Sequence, residues 1–508
     1  MPRVKLSNLL YAVVFFLCSL PSQAKYTEIF STQVIPLEIT VTQPVLPANV
    51  LHDDGLELLV VGVDDQYQRI LAILKLNPET GQYIHHDSVV IGKDVFAFDV
   101  GVNNESGLQN IYLLSNKWVT RYVPAHLSHP ASMIEEEQVS SLFLADSSDV
   151  FIHQDFIQDL NQDGLNDIIL QGFETLNLWL SDCCGLRHSQ TLPIRARQEA
   201  KEDGVSFYEN KLFFEDLNFD HKDDLVIAEQ GRLTVFFQKP DLQFSSEPAS
   251  IVVAETIHGL DWWDVKDTNG RDLDQSNLEH RTVKNITDLN GDGIPDLAVQ
   301  FTQSSGVLDK NIEFEFYLGQ QVEQQLKYSK EADTRVKWHE TLSGLEFVDL
   351  QGDGVQEVFV SSFDIGISQI IGALLSGGID QDVLIFAMDE NGKYSEKPLV
   401  SQEVEMTFSL SQGATGEPLT KVVDVNGDNA KDIVFSDGDS VIRVLYATPN
   451  DKKPYARRSL RQKMTMPQNA SSIEVVDLNM DGKSDLVLHY GQLDAEALHK
   501  QIVVLLAK

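Results

Sequence analysis

The sequence predicts an all-β chain assembled from repeated sheet units, each opening on an oxygen-rich loop. Three observations predict it. The stretch Asp288-Leu-Asn-Gly-Asp-Gly-Ile-Pro-Asp296 places oxygen side chains at its first, third, fifth and ninth positions, and the pattern returns five more times. Each copy leads into a short apolar run, such as Ile168-Ile-Leu, Leu225-Val-Ile or Leu486-Val-Leu, which suits a strand buried on both faces. Counting two weaker traces, the unit starts near 49, 99, 159, 216, 288, 349, 424 and 477 lie between 50 and 75 residues apart. That interval leaves room for one small sheet and an insertion, and an array of such units escapes the usual limit on domain size because each packs against its neighbours.

The loop chemistry is that of a hard cation. Calcium takes about six to eight oxygens at about 2.3–2.6 Å, which alternate side chains and one backbone carbonyl can supply. In the 288 copy the donors are Asp288, Asn290, Asp292, the carbonyl of Ile294 and Asp296, and Gly293 at the sixth position permits the left-handed turn that closes the loop. The 159 copy (Asp159, Asn161, Asp163, the Leu165 carbonyl, Asp167) and the 477 copy (Asp477, Asn479, Asp481, the Lys483 carbonyl, Asp485) are equally complete. The 349 copy (Asp349, Gln351, Asp353, the Val355 carbonyl, Glu357) carries longer side chains at two positions. The 424 copy (Asp424, Asn426, Asp428, the Ala430 carbonyl, Asp432) has Asn429 at the turn, a residue that tolerates the left-handed region. The 216 copy (Asp216, Asn218, Asp220, the Lys222 carbonyl, Asp224) departs most, with His221 at the turn. An EF-hand would need a bidentate Glu at loop position twelve. Here that position is Leu170, Ile227, Val299, Val360, Phe435 or Leu488, so the carboxylates stop where a strand begins. The competing reading of each loop is a carboxylate-rich turn that folds without an ion.

This combination resembles the integrin-alpha-type FG-GAP or VCBS repeat, over most of residues 45–508. The resemblance implies a β-propeller whose four-stranded blades carry such a loop between their first two strands, with several structural calcium ions. It implies function poorly, since propellers host many activities. The traces at Asn49-Val-Leu-His-Asp53 and Asp99-Val-Gly-Val-Asn103 have incomplete ligand sets; with them the blades number eight, or seven if one belongs to an insertion.

Taken in order, Met1–Ala24 has basic Arg3 and Lys5, an apolar run from Leu9 to Leu20 and Ser22-Gln-Ala24 ahead of Lys25, the pattern of a cleavable secretory signal. The product expected is residues 25–508, exported to the periplasm or beyond. Leu17 stands before Cys18 where a bacterial lipoprotein signal needs a small residue, and no later stretch approaches about 18 apolar residues, so no transmembrane anchor is expected. In the 159 unit, strands are expected over Val150–Gln158, Asp167–Gln171, Thr175–Leu180 and Ser189–Ile194. The last unit shows only Val475–Val476, Leu486–Leu488 and Gln501–Leu506. The β-rich Ile29–Val41 could supply its missing strand, closing a ring and removing exposed edges.

Three insertions stand out. Ile367, Ile370, Ile371, Leu374 and Leu375, ending at Gly377-Gly378, read as a short amphipathic helix packed on the rim, with partner or membrane docking as the other reading. Trp262 and Trp263, flanked by Asp261 and Asp264, are either rim aromatics or a sugar-stacking platform. Asp182-Cys183-Cys184-Gly-Leu-Arg-His188 reads as two structurally placed thiols, with a vicinal disulfide or a soft-metal site using His188 as alternatives. His85, His86 and His153 look isolated and read as surface or satisfied core residues.

With 39 Lys and Arg against 77 Asp and Glu, the formal net charge is −38, and losing Arg3 and Lys5 with the leader makes it more negative. Nucleic acid is excluded as a partner, because phosphate binding needs a basic surface. No nucleophile elbow, zinc-binding helix motif or phosphate loop is present, so no catalytic residue can be named. The reading reached is a non-catalytic binding or adhesion scaffold for a protein or glycan. The alternatives are a polysaccharide lyase or hydrolase whose acid/base pair only the fold would reveal, and a subunit of a cell-envelope assembly. Asn104, Asn285 and Asn469 begin glycosylation-type triplets, but Asn285 sits where a strand enters a loop, an awkward place for a glycan.

Overall fold

The computed structural model describes residues 26–51, 55–103, 107–126, 129–142, 151–182, 187–201, 204–267, 270–306, 309–364, 378–409, 414–449 and 453–508. It is all-β: eight four-stranded antiparallel blades form a propeller ring. Blade 1 comprises Leu46–Ala48, Glu57–Val63, Arg69–Asn77 and Gln82–Ile91; blade 2 comprises Val95–Asn103, Leu108–Ser115, Trp118–Val123 and Ser132–Gln138. Blade 3 comprises Ile157–Gln158, Asp167–Gln171, Leu176–Ser181 and Arg187–Leu192; blade 4 comprises Phe213–Glu215, Asp224–Glu229, Arg232–Phe236 and Ala249–Val252. Blade 5 comprises Leu278–Thr287, Asp296–Gly306, Asp309–Tyr317 and Thr334–Val336; blade 6 comprises Thr341–Val348, Glu357–Phe363, Gly378–Phe386 and Val400–Ser409. Blade 7 comprises Thr420–Val423, Asp432–Ser436, Val441–Leu445 and Leu460–Lys463.

Blade 8 has only Ile473–Val476, Asp485–His489 and Gln501–Ala507 from the C-terminal end, and the N-terminal strand Phe30–Pro36 completes it by pairing antiparallel with Gln501–Ala507. The segment Ile29–Val41 is thus divided: its first part closes the ring, while Thr40–Val41 pairs with Gly62 and Val63 of blade 1. The buried side chain of Gln462 on blade 7 clamps the joint, accepting from Ile29 N–H (2.6 Å) and Phe30 N–H (2.8 Å) and donating to the Phe30 carbonyl (3.0 Å).

The core is distributed between blades. Eight clusters of buried apolar side chains occupy the eight seams, because each strand's alternating side chains pack on one neighbour or the other. The seam of blades 8 and 1, for example, holds Leu478, Val487, Ile502 and Val504 against Leu58, Val60, Ala72 and Leu74. Burying each such side chain fully contributes about 1.5–3 kcal/mol. The hydrophobic residue at loop position two is an anchor of this kind: Leu160, Leu217, Leu289, Val425 and Leu478 are all buried.

Because successive strands alternate in direction, the first-to-second and third-to-fourth turns of every blade lie at one end of the ring. The inter-blade connections and second-to-third turns lie at the other. The carboxylate loops therefore share one face. The Trp262–Trp263 segment and the hairpin Arg197–Lys201 with Gly204–Tyr208 are inter-blade insertions on the opposite face.

The expected helix over 367–375, the Cys183–Cys184 pair and the leader 1–24 lie outside the described residues. Among the described residues helical structure is confined to three short 3-10 turns, and no helix is long and apolar enough to cross a membrane.

Candidate functional site

Each of the six loops joins the first and second strands of its blade, from blade 3 to blade 8, and all six adopt one backbone conformation. The sixth position is left-handed in every copy, with φ of +82° at Gly164, +64° at His221, +77° at Gly293, +84° at Gly354, +66° at Asn429 and +85° at Gly482. The fourth position is left-handed too, at Gln162, Phe219, Gly291, Gly352, Gly427 and Met480, a requirement that the ligand pattern did not reveal. Two such turns in three residues fold the peptide N–H groups inward onto the first carboxylate. Its Oδ2 accepts from the sixth-position N–H at 2.8 Å in the 159 loop, 2.7 Å in 216, 2.7 Å in 288, 2.9 Å in 349, 2.6 Å in 424 and 2.8 Å in 477. The fifth side chain accepts from the seventh N–H in the same way, as in Asp292 with Ile294 (2.9 Å). That bond engages the seventh N–H; the seventh carbonyl, of Leu165, Lys222, Ile294, Val355, Ala430 or Lys483, is the backbone oxygen that the sequence pattern offers as a ligand.

The ninth position does more than its place in the pattern implied. Asp167, Asp224, Asp296, Asp432 and Asp485 are fully buried, and each spans three strands of its own blade. One oxygen accepts from the second-position N–H, as Asp296 Oδ2 does from Leu289 at 3.0 Å. The other accepts an N–H where the third strand ends: Ser181 (2.7 Å), Gln238 (2.9 Å), Gly319 (2.7 Å), Ala447 (2.8 Å) and Ala507 (2.8 Å) respectively. Glu357 reaches the Leu350 N–H with its longer side chain (2.9 Å) and meets the Gln351 amide with its second oxygen (3.4 Å). Glu57 in blade 1 keeps the loop half of the staple although that copy lacks the ligand set, its Oε2 accepting from Val50 (2.8 Å) and Leu51 (3.0 Å).

The acids of one loop feel one another's charge. Burial pushes Asp167, Asp224 and Asp296 up to about 7 and Asp432 and Asp485 up to about 6; the two N–H donors oppose this, and the fifth- and first-position carboxylates of the same loop add to it. Glu357 is raised for the same reasons. Among the described residues, one loop carries an ion pair of its own, Lys483 Nζ to Asp481 at 4.0 Å. A hard, all-oxygen donor set with surplus negative charge fits a calcium-class cation.

Tyrosines tie the loops to the sheet, a part the sequence reading missed. Tyr83, Tyr328 and Tyr394 donate to the eighth-position carbonyls of Leu56 (2.8 Å), Pro295 (2.9 Å) and Gln356 (3.0 Å). A signal existed, since Gly81-Gln-Tyr83 and Gly392-Lys-Tyr394 repeat a turn followed by an aromatic. Neighbouring loops are linked as well: Gln356 N–H donates to the Leu289 carbonyl (2.9 Å), Ser484 to Asp424 (2.7 Å) and Leu56 to Leu478 (2.9 Å), each from one blade to the one before it.

Of the other singled-out residues, Asp99 lies inside the strand Val95–Asn103 and not in a loop. His153 is not isolated. It pairs in parallel beside Phe98, and with Asp99 and Asp155 it forms, among the described residues, the one group of three His, Cys, Asp or Glu ligand atoms mutually within 4.8 Å. Among the described residues, no loop brings its three acids within that distance of one another. His86 does read as satisfied, with Nε2 2.9 Å from the Ala125 carbonyl oxygen. Trp262 and Trp263 meet edge to face at 5.4 Å; Lys310 lies 5.0 Å from the Trp262 ring centre, and Trp263 is 52% exposed.

No family model matches the chain, and no curated protein matches it. Among solved structures, the chain is similar to an Agrocybe aegerita lectin described as specifically recognising non-reducing terminal N-acetylglucosamine (13% identity, 87% of this chain and 96% of that chain, TM-score 0.38). It is also similar to the V. cholerae biofilm matrix protein Bap1 (11%, 96% and 91%, 0.37) and to a Lactobacillus plantarum protein (8%, 87% and 98%, 0.33). At these values none of them bears on what this chain binds.

Proposed function

We propose that this chain is an exported, calcium-stabilised propeller of the FG-GAP or VCBS type that works as a non-catalytic binding scaffold, holding a glycan or protein on the face opposite its metal loops. The observation that carries it is the repetition of one donor geometry at six of the eight first-to-second turns, all on one face. In this reading Asp288, Asn290, Asp292, the Ile294 carbonyl and Asp296, and the matching residues of the other five loops, hold the ions. Bound calcium would neutralise acids that otherwise repel one another beside a buried carboxylate. Affinities of about 10⁻⁴–10⁻³ M, usual for extracellular modules, suit structural stiffening and not signalling. Export rests on the Met1–Ala24 pattern.

With one face given to structural ions, recognition falls to the other, where Trp263 offers an exposed ring flanked by Lys284 and Asp261, themselves paired at 2.6 Å. An indole face with neighbouring charged hydrogen-bonding groups is suited to stacking a sugar ring. Two measurements test the reading. Melting of the purified chain should shift upward in millimolar calcium relative to chelator, and coincident melts would remove the ion from the account. On a glycan array, wild type should retain ligands that Trp263→Ala loses, with melting unchanged; release of cleaved sugar would favour the enzyme alternative instead.

A further inference from the structure

The inner end of blade 2 carries a donor set of a different kind from the loops. Ile152–His153 pairs in parallel with Ala97–Phe98, and this short bridge sets His153 beside Asp99. The Phe98 ring backs the imidazole, with ring centres 5.5 Å apart. Asp99 is buried. Its Oδ2 is taken by the N–H groups of Phe156 (2.7 Å) and Ile157 (2.6 Å), which fixes the carboxylate across the seam to blade 3. Its Oδ1 accepts the Val100 N–H (2.7 Å) and turns its other lone pair toward His153 Nε2 at 3.3 Å. Asp155 Oδ1 lies 3.8 Å from the same nitrogen.

These spacings are compatible with a shared cation as well as with an ion pair. A charge-assisted N–H···O bond closes to about 2.7–2.9 Å. Two ligands about 2.0–2.1 Å from a tetrahedral zinc ion stand about 3.3 Å apart, the separation found between His153 and Asp99. One imidazole with two carboxylates suits zinc and its first-row neighbours, whereas calcium prefers the all-oxygen loops. His153 and Asp155 both reach solvent. Three protein ligands would leave one position of a tetrahedral ion open to water.

We propose that Asp99, His153 and Asp155 bind one zinc-class divalent cation at the seam of blades 2 and 3. The site shares no residue with the calcium loops, so it is tested on the full chain with calcium in excess. Titration with cobalt(II) should give the intense visible bands of a four-coordinate ion at one equivalent, and zinc should displace it. His153→Ala and Asp155→Asn should each weaken binding by more than about 100-fold, beyond the roughly 10–100-fold cost of losing an outer-sphere partner. The calcium-dependent melting shift should stay as in wild type. His188→Ala, which removes the imidazole beside Asp182 (3.0 Å), should leave the cobalt spectrum unchanged. Asp155 is 78% exposed, so Asp155→Asn carries the test even if His153→Ala proves unstable. The proposal is overturned if calcium-loaded wild type gives no cobalt bands, if Asp155→Asn binds as tightly as wild type, or if His188→Ala abolishes the spectrum.

Discussion

At the sixth loop position, His221 and Asn429 hold a conformation that the other four loops give to glycine. A left-handed non-glycine residue costs about 1–2 kcal/mol, whereas glycine's extra freedom in the unfolded chain costs about 0.5–1 kcal/mol. The first term is larger, so His221→Gly is expected to stabilise the protein by about 0.5–1 kcal/mol, read as a higher denaturant midpoint with the slope unchanged. The ninth position carries the opposite sign. Asp296→Asn keeps the volume but turns an N–H donor group toward the donors Leu289 or Gly319, leaving a buried pair unsatisfied at about 1–3 kcal/mol. It should also reduce the calcium-dependent melting shift; if this substitution leaves the protein as stable as wild type, the staple contributes nothing. The oxygen spacing of the loops was legible in the sequence because ligand atoms belong to residue types. The staple was not, since it depends on where the third strand ends in space.

Among the elements, the N-terminal strand Phe30–Pro36 decides whether the ring is closed, and Gln462 decides whether that strand stays in place. Gln462→Ala would leave the Ile29 and Phe30 N–H groups and the Phe30 carbonyl without their partner in a buried joint. The expected cost is about 2 kcal/mol, and hydrogen exchange should speed up over residues 29–36 ahead of the other blades. Uniform exchange across the ring would instead mean that the strand is held by its ladder to Gln501–Ala507 alone. The need for a closing strand could be read from the sequence, because the last unit visibly lacked one. Its division after Pro36, with Thr40–Val41 passing to blade 1, depends on which strand each part meets in space.

For the whole molecule, stability is shared by eight seams, so a charge forced into one of them is felt through the closed ring. His489 lies buried at the end of Asp485–His489 with its Nδ1 unpartnered. Burial pushes its pKa from 6.5 down to about 4, only partly opposed by its hydrogen bond with the Ser472 backbone. The folded protein therefore holds His489 neutral while the unfolded chain takes up a proton below pH 6.5. Stability is fully present above that value and is lost as pH falls toward 4. The loss should approach about 3 kcal/mol, and His489→Leu should flatten it; parallel pH profiles for the two proteins would exclude the residue as the cause.

What the sequence determined by itself is whatever recurs at regular intervals: the six loops and the apolar strands behind them, with the choice between eight blades and seven left to the structure. Periodicity survives in one dimension because every unit meets the same local demands of chain direction and side-chain alternation. Only the tertiary structure decided which groups meet across the array: Gln462 with Phe30, Tyr394 with Gln356, and above all His153 with Asp99. Those pairs join residues up to 432 positions apart, and a ring closed through its first strand sets their separation by geometry that no stretch of sequence contains.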